Sequence, residues 1–270
     1  MDSQNSIKTI TIHTGRIAFR DQGEGPSIVL LHGMNGGYRS WPFQFSELTD
    51  RFRIIAWDAP GFGDSDTCAA TMQAYAGAAR EWLAKIDVRN AVIVGHSMGG
   101  LIAAQLASEQ DGLVAGLVLS GTHHGYGRPP GEPLMARYAD RADRIEREGA
   151  GPDYGKRSAV KMVPEGTSET VLALLADVAA HARVEGLRDA GRMMQETDNR
   201  KIAGLVKVPV LILAGKRDPV VSAAAHESLY TSYPQAKRSY FEEAGHAAYV
   251  ECPDLFNAQL RDFAKSIFGL

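Results

Sequence analysis

Cysteine is nearly absent from this chain. Cys68 and Cys252 are the only two and lie far apart. One disulfide between them is open, but such sparse use fits a reducing compartment better. Long apolar runs are missing as well. Nothing approaches the roughly 20 residues needed to span a bilayer, so no membrane partner is expected. The opening Met-Asp-Ser-Gln-Asn lacks the basic start and apolar stretch of a signal peptide, which makes the cytoplasm the expected location. Neither sign of charge dominates. The net charge is −3, and no basic run could track a phosphate backbone, so nucleic acid is not an expected partner. No H-E-x-x-H or C-x-x-C occurs, and His123-His124 alone is too little for a metal site. Gly33, Gly36 and Gly37 form no G-x-G-x-x-G opening a helix. Neither a metal nor a cofactor is therefore expected. Whether the chain forms a homo-oligomer is left open.

What is present is an ordinary globular composition, 44% apolar and 23% charged, over a length that can bury one large core. Short apolar runs recur with helical stretches between them. Ile7–Ile12 and Arg16–Arg20 read as two outer strands turning at Thr14-Gly15. Ser27–Leu31, Arg53–Trp57, Ala91–Val94, Gly116–Leu119, Val208–Leu213 and Arg238–Phe241 read as strands buried on both faces. Helical patterns such as Met72–Ile86 and Gly99–Ser108 alternate with them. This predicts an α/β fold with a mostly parallel, eight-stranded sheet covered on both faces. From about 122 to 200 the alternation stops. Leu134–Glu148, Glu169–Ala182 and Glu185–Glu196 read as helices, with no strand among them. The chain thus divides into a core, 1–121 and 201–270, and a helical cap, 122–200. A cap so placed is expected to cover a site and to set substrate choice without touching the chemistry.

The sharpest motif is Gly95-His96-Ser97-Met98-Gly99, after the strand Ala91–Val94 and before a helix. A serine on a strained strand-to-helix turn needs small residues two positions either side. The helix N-terminus then aims free N–H groups at a developing oxyanion. Ser97 is therefore the candidate nucleophile. A serine needs a base. His246, in Glu243-Ala244-Gly245-His246 just past the last strand, is best placed. His13, His181 and His226 have weaker positions, His32 reads as a structural hydrogen-bonding group, and His96 should point away from Ser97. The acid that orients the base is Asp218, in Gly215-Lys216-Arg217-Asp218-Pro219 after a core strand. The rival strand end, Ser120-Gly121-Thr122, offers no acid, and Asp58 reads as a turn cap. The oxyanion donors are expected to be the backbone N–H groups of Met98 and Met34. In the cap, Met135, Tyr138, Met193 and Met194 are candidate lining residues, and Arg192 could meet a substrate carboxylate.

Taken in order, Leu31-His32-Gly33, Asp58-Ala59-Pro60-Gly61-Phe62-Gly63-Asp64-Ser65, Gly95-His96-Ser97-Met98-Gly99-Gly100, Gly215-Lys216-Arg217-Asp218 and Gly245-His246 resemble the α/β-hydrolase superfamily over nearly the whole chain. The cap ending, Arg183-Val184-Glu185-Gly186-Leu187 and Asp198-Asn199-Arg200-Lys201-Ile202, looks like that of 3-oxoadipate enol-lactonases and related small ester or lactone hydrolases. Branches with Asp as nucleophile are set aside by Ser97. The carbon–carbon hydrolases typically carry Asn where this chain has His96.

The resemblance implies a serine hydrolase that cleaves a small carboxylic ester or lactone through an acyl-enzyme, with no cofactor. Alternatives that keep the triad are carbon–carbon hydrolysis of a β-diketone, amide hydrolysis, or lyase chemistry. A non-catalytic receptor would be marked by a damaged triad, and all three members are present.

Overall fold

The computed structural model describes residues 6–270. The opening pentapeptide, read above for a signal sequence, lies outside them. One eight-stranded sheet runs through the molecule. Its strands are β1 (Lys8–Ile12), β2 (Gly15–Gln22), β3 (Ser27–Leu31), β4 (Arg53–Trp57), β5 (Ala91–His96), β6 (Val114–Ser120), β7 (Val210–Gly215) and β8 (Lys237–Phe241). They lie side by side in the order β1-β2-β4-β3-β5-β6-β7-β8. β1 and β2 are antiparallel, β2 is antiparallel to β4, and every pairing from β4 through to β8 is parallel.

Side chains alternate across the sheet with the two-residue period of a strand. Val29, Leu31, Ile55, Trp57 and Ile93 enter one core, under α2 (Met72–Lys85) and α3 (Met98–Ser108). Ile28, Leu30, Ile54, Val92 and Val94 enter the other, under α1 (Pro42–Leu48) and α11 (Pro253–Phe268). The helices begin where the chain supplies a cap or a proline. Thr71 Oγ1 accepts the Ala74 N–H at 3.2 Å, and prolines open α1 and α11, where an N–H would lack a helical partner anyway.

Between β6 and β7 the described chain forms helices and no strand: α4 (Ala136–Glu148), α5 (Pro152–Ala159), α6 (Glu169–Ala179), α7 (Val184–Glu196) and α8 (Arg200–Ala203), with α9 (Ala223–Ser232) and α10 (Ala248–Glu251) following later in the chain. The sequence reading lacked α5 and ran α6 three residues too far. The segment docks on the core by close backbone contact. A Cβ at Gly186 would sit 2.3 Å from the Gly61 carbonyl oxygen, so neither turn tolerates a side chain there. Arg183 donates to the Ser65 carbonyl at 2.7 Å beside that contact. Cys68 and Cys252 are both free, so the disulfide left open by the sequence is not formed. Among the described residues, no helix is long and apolar enough to cross a membrane.

Candidate active site

Ser97 occupies the single residue between the end of β5 and the start of α3, with φ 51° and ψ −115°. A non-glycine residue there costs on the order of 1–3 kcal/mol and must be held by its surroundings. Its N–H donates to the Ser120 carbonyl at 2.9 Å, and its carbonyl accepts from Thr122 Oγ1 at 2.6 Å and the Gly100 N–H at 2.9 Å. The flanking glycines are steric necessities. A Cβ at Gly95 would lie 2.4 Å from the Gly99 carbonyl oxygen, and one at Gly99 would lie 2.1 Å from that of Leu31.

His246 and Asp218 arrive on the loops after β8 and β7. His246 Nδ1–H donates to Asp218 Oδ2 at 2.9 Å, which leaves Nε2 on the opposite ring edge. Asp218 Oδ1 accepts the N–H groups of Val220 and Val221 at 2.7 and 2.9 Å. Burial alone would raise the Asp218 pKa. The His246 ring and the two N–H groups outweigh it, holding the carboxyl below its usual range as an anion. The His246 loop is pinned on both sides. Glu251 accepts the N–H groups of Gly245 and Ala247, each at 2.8 Å, and the His246 N–H donates to Met162 of the cap segment at 2.8 Å.

The other histidines separate by environment. His32 is fully buried, donates from Nδ1 to the Gly33 carbonyl at 2.7 Å and accepts the Ala59 N–H on Nε2 at 2.9 Å. His226 Nε2 comes within 4.0 Å of Asp218 Oδ2 and has no hydrogen-bond partner. Burial pushes its pKa down, so it stays neutral and does not compete for the carboxylate. His96, expected only to point away from Ser97, packs its ring 4.7 Å from the His246 ring and 4.8 Å from the Tyr249 ring. Burial first, and the neighbouring His246 second, hold it well below the ordinary imidazole pKa and therefore neutral.

A cavity of about 340 Å³ opens over these groups, lined by Ser97 and His246 below and by Tyr138, Tyr154 and Met194 of the cap above. Met34 lines it from the turn after β3, where Asn35 adopts φ 67°. Met98 opens α3, so its N–H has no partner inside the helix. Of the five cap candidates, Tyr138 and Met194 face the cavity and three do not. Met193 is fully buried in the core beneath α7, because adjacent helical residues diverge by about 100°. The Arg192 guanidinium binds the Glu132 carbonyl and lies 3.6 Å from Glu196, turned to the neighbouring loop. Met135 packs against the core at the entry to α4.

Sequence reasoning missed Glu251, Tyr154 and Asn35. The Tyr154 hydroxyl donates to Asn35 Oδ1 at 3.0 Å, tying the cap to the turn that carries Met34. Pro152 after Gly151 was a helix-start signal that could have exposed α5 and hence Tyr154. Among the described residues, no group of three His, Cys, Asp or Glu is arranged to hold a metal ion.

Residues 28–259 match the model of the alpha/beta hydrolase family. The chain belongs to that family. The match takes in Ser97, Asp218, His246 and the helical segment between β6 and β7. A pimeloyl-[acyl-carrier protein] methyl ester esterase of Chromobacterium violaceum is 31% identical, over 84% of this chain and 90% of its own. Among solved structures, a thermophilic esterase from Thermogutta terrifontis superposes with a TM-score of 0.85 at 27% identity, over 97% of this chain and 99% of its own. The enol-lactonase from Burkholderia xenovorans LB400 reaches 0.84 at 24% identity, over 95% and 99%, a likeness of fold.

Proposed function

We propose that this alpha/beta hydrolase cleaves a carboxylic ester or lactone through an acyl-enzyme on Ser97. One observation carries the reading. A serine held at a strained strand-to-helix turn shares a cavity with a histidine whose far nitrogen is bonded to a buried carboxylate at 2.9 Å. That arrangement makes a nucleophile out of a hydroxyl. Relatives whose names specify ester cleavage support the bond type.

In the first step Ser97 Oγ forms a bond to the carbonyl carbon while its proton passes to His246 Nε2. Asp218 fixes the tautomer and stabilises the imidazolium. The N–H groups of Met98 and Met34 are the donors assigned to the oxyanion. Collapse breaks the carbon–oxygen bond, and His246 returns its proton to the leaving alkoxide. In a lactone that oxygen stays tethered. Water then gives a proton to His246 and attacks the acyl carbon. Collapse frees the acid and restores the Ser97 hydroxyl.

A fluorophosphonate tests this directly. Peptide mapping should find one adduct, on Ser97, formed more slowly while a p-nitrophenyl ester is present and being turned over. Label on Ser65 or Ser120 would overturn the assignment. Ser65 is a demanding control, since its hydroxyl is buried and donates to the Asp58 carbonyl at 2.7 Å.

A further inference from the structure

The chain carries a net charge of −3, yet the cavity lining is strongly cationic. Arg137, Arg141, Arg144, Arg157 and Lys161 all line it, against one carboxylate, Asp140. The spacing explains the clustering. Positions 137, 141 and 144 fall on one face of α4, and 157 and 161 lie one turn apart along α5 and just past its end.

An uninvolved solvated face would be neutralised by its neighbours, and part of α4 is. Its acids Asp143 and Glu146 bind Arg188 of α7 at 3.1 and 2.7 Å, away from the cavity. They are spent there. Arg157 has Glu148 at 2.9 Å. Among the described residues, Arg141, Arg144 and Lys161 form no ion pair. Arg141 is half-buried, and among the described residues its only hydrogen-bond partner is Met34 Sδ, to which Nη1 donates at 3.7 Å. A thioether is a weak acceptor and a poor counterpart for a guanidinium. That contact also places the cation one methionine side chain from the backbone N–H assigned to the oxyanion.

We infer that this basic wall is an anion subsite. It deepens the proposed ester or lactone hydrolysis by naming the substrate class: an ester whose acyl part carries a second, carboxylate end, a short spacer away from the scissile carbonyl. Arg141 and Arg144 take the far carboxylate while Ser97 faces the ester. A guanidinium pair of this kind binds a carboxylate in a fixed orientation, and the low-dielectric walls of a cleft focus the field.

The test separates binding from turnover. Monomethyl adipate and its neutral dimethyl analogue are titrated calorimetrically into the full-length Ser97→Ala protein at low salt. The half-ester should bind at least about tenfold tighter. The preference should shrink in half-molar salt, as exposed charge pairs do. It should disappear with Arg141→Gln/Arg144→Gln and persist with Arg188→Gln, which removes a cation that the cavity does not use. Equal affinity for the two ligands, or a preference that survives the double substitution, overturns the subsite. Hydrolysis of both esters by the unsubstituted protein is read in parallel. An anion preference without hydrolysis of any ester would uphold the subsite and sink the esterase reading. Hydrolysis without the preference would do the reverse.

Discussion

Acid should destabilise this protein through His32 and stabilise it through Asp58, and the two effects should nearly hide each other. His32 uses both ring nitrogens in its neutral form, one donating to Gly33 and one accepting from Ala59. Protonation would set a hydrogen against the Ala59 N–H, and full burial lowers the His32 pKa from 6.5 to about 4. Between those values the unfolded chain binds a proton that the folded chain does not. The stabilisation is therefore complete above pH 6.5 and is lost as pH falls towards 4.

Asp58 behaves oppositely. Its carboxylate accepts the N–H groups of Tyr38 and Asp64 at 2.9 and 3.1 Å, but burial dominates and raises its pKa from 3.8 to about 6. Here the folded chain binds the extra proton, so stability rises as pH falls from 6 towards 3.8. At about 1.4 kcal/mol per pH unit, each group contributes about 2 kcal/mol between roughly pH 7 and pH 4.5, with opposite sign. Urea unfolding at those two pH values should show Asp58→Asn losing about 2 kcal/mol more than the unsubstituted chain. His32→Gln should lose about 2 kcal/mol less. His96, also buried and neutral, adds its own acid loss to all three proteins, with His32 the smallest of the influences on it. Parallel pH responses in the three proteins, within about 0.5 kcal/mol, would refute the reasoning.

Two further outcomes follow from backbone geometry. Ser97→Gly should abolish turnover yet unfold no earlier than Ser97→Ala in denaturant, because glycine takes φ 51° without the penalty that any Cβ incurs there. A glycine variant less stable than the alanine variant would mean the turn is not strained. Gly186→Ala should lower the melting temperature by several degrees, since its Cβ would meet the Gly61 carbonyl oxygen at 2.3 Å, whereas Gly77→Ala, with nothing within 4 Å in mid-helix, should hold or raise it.

Much of this fold is legible in the sequence because its core strands are short apolar runs with sharp ends. Ser27–Leu31 and Arg53–Trp57 were readable to the residue. β5 and β7 were read short at their C-terminal ends, at Val94 and Leu213, because Gly95 and Gly215 interrupt the apolar pattern. They are glycines for want of space: a Cβ at Gly215 would lie 2.0 Å from the Gly245 carbonyl oxygen. The helix α5 escaped notice for a related reason. It is short and charged, with a mid-helix glycine that reads as a breaker. Gly155 is there so that α5 can approach α6, where a Cβ would lie 2.1 Å from the Ala176 carbonyl oxygen. The candidate triad was legible because each member ends or follows a strand with its own local signature. The cavity wall was not, because periodicity groups residues on a helix face without saying what that face meets. The sequence reading passed over Arg141 and named Arg192. Only packing decides that one lines the cavity and the other binds a loop carbonyl.

The same packing changes the expected division of labour between core and cap. From sequence, the cap seemed free to govern substrate choice alone. Yet the His246 N–H donates to the Met162 carbonyl, and a Cβ at Gly245 would strike Pro164, so the loop carrying the candidate base lies against the cap backbone. On the opposite wall the Tyr154 hydroxyl holds Asn35, the residue after Met34. Productive geometry in an acyl-transfer site tolerates displacements well under about 1 Å. On the proposed mechanism, a cap bonded to both the loop of the candidate base and the turn of the candidate oxyanion donor would set those displacements as well as the shape of the cavity. Substitutions on the cavity face of α4 can tune which substrate enters. Substitutions at the 162–164 turn or at Tyr154 should act on the placement of His246 or Met34, and so lower the rate with every ester tested by a similar factor.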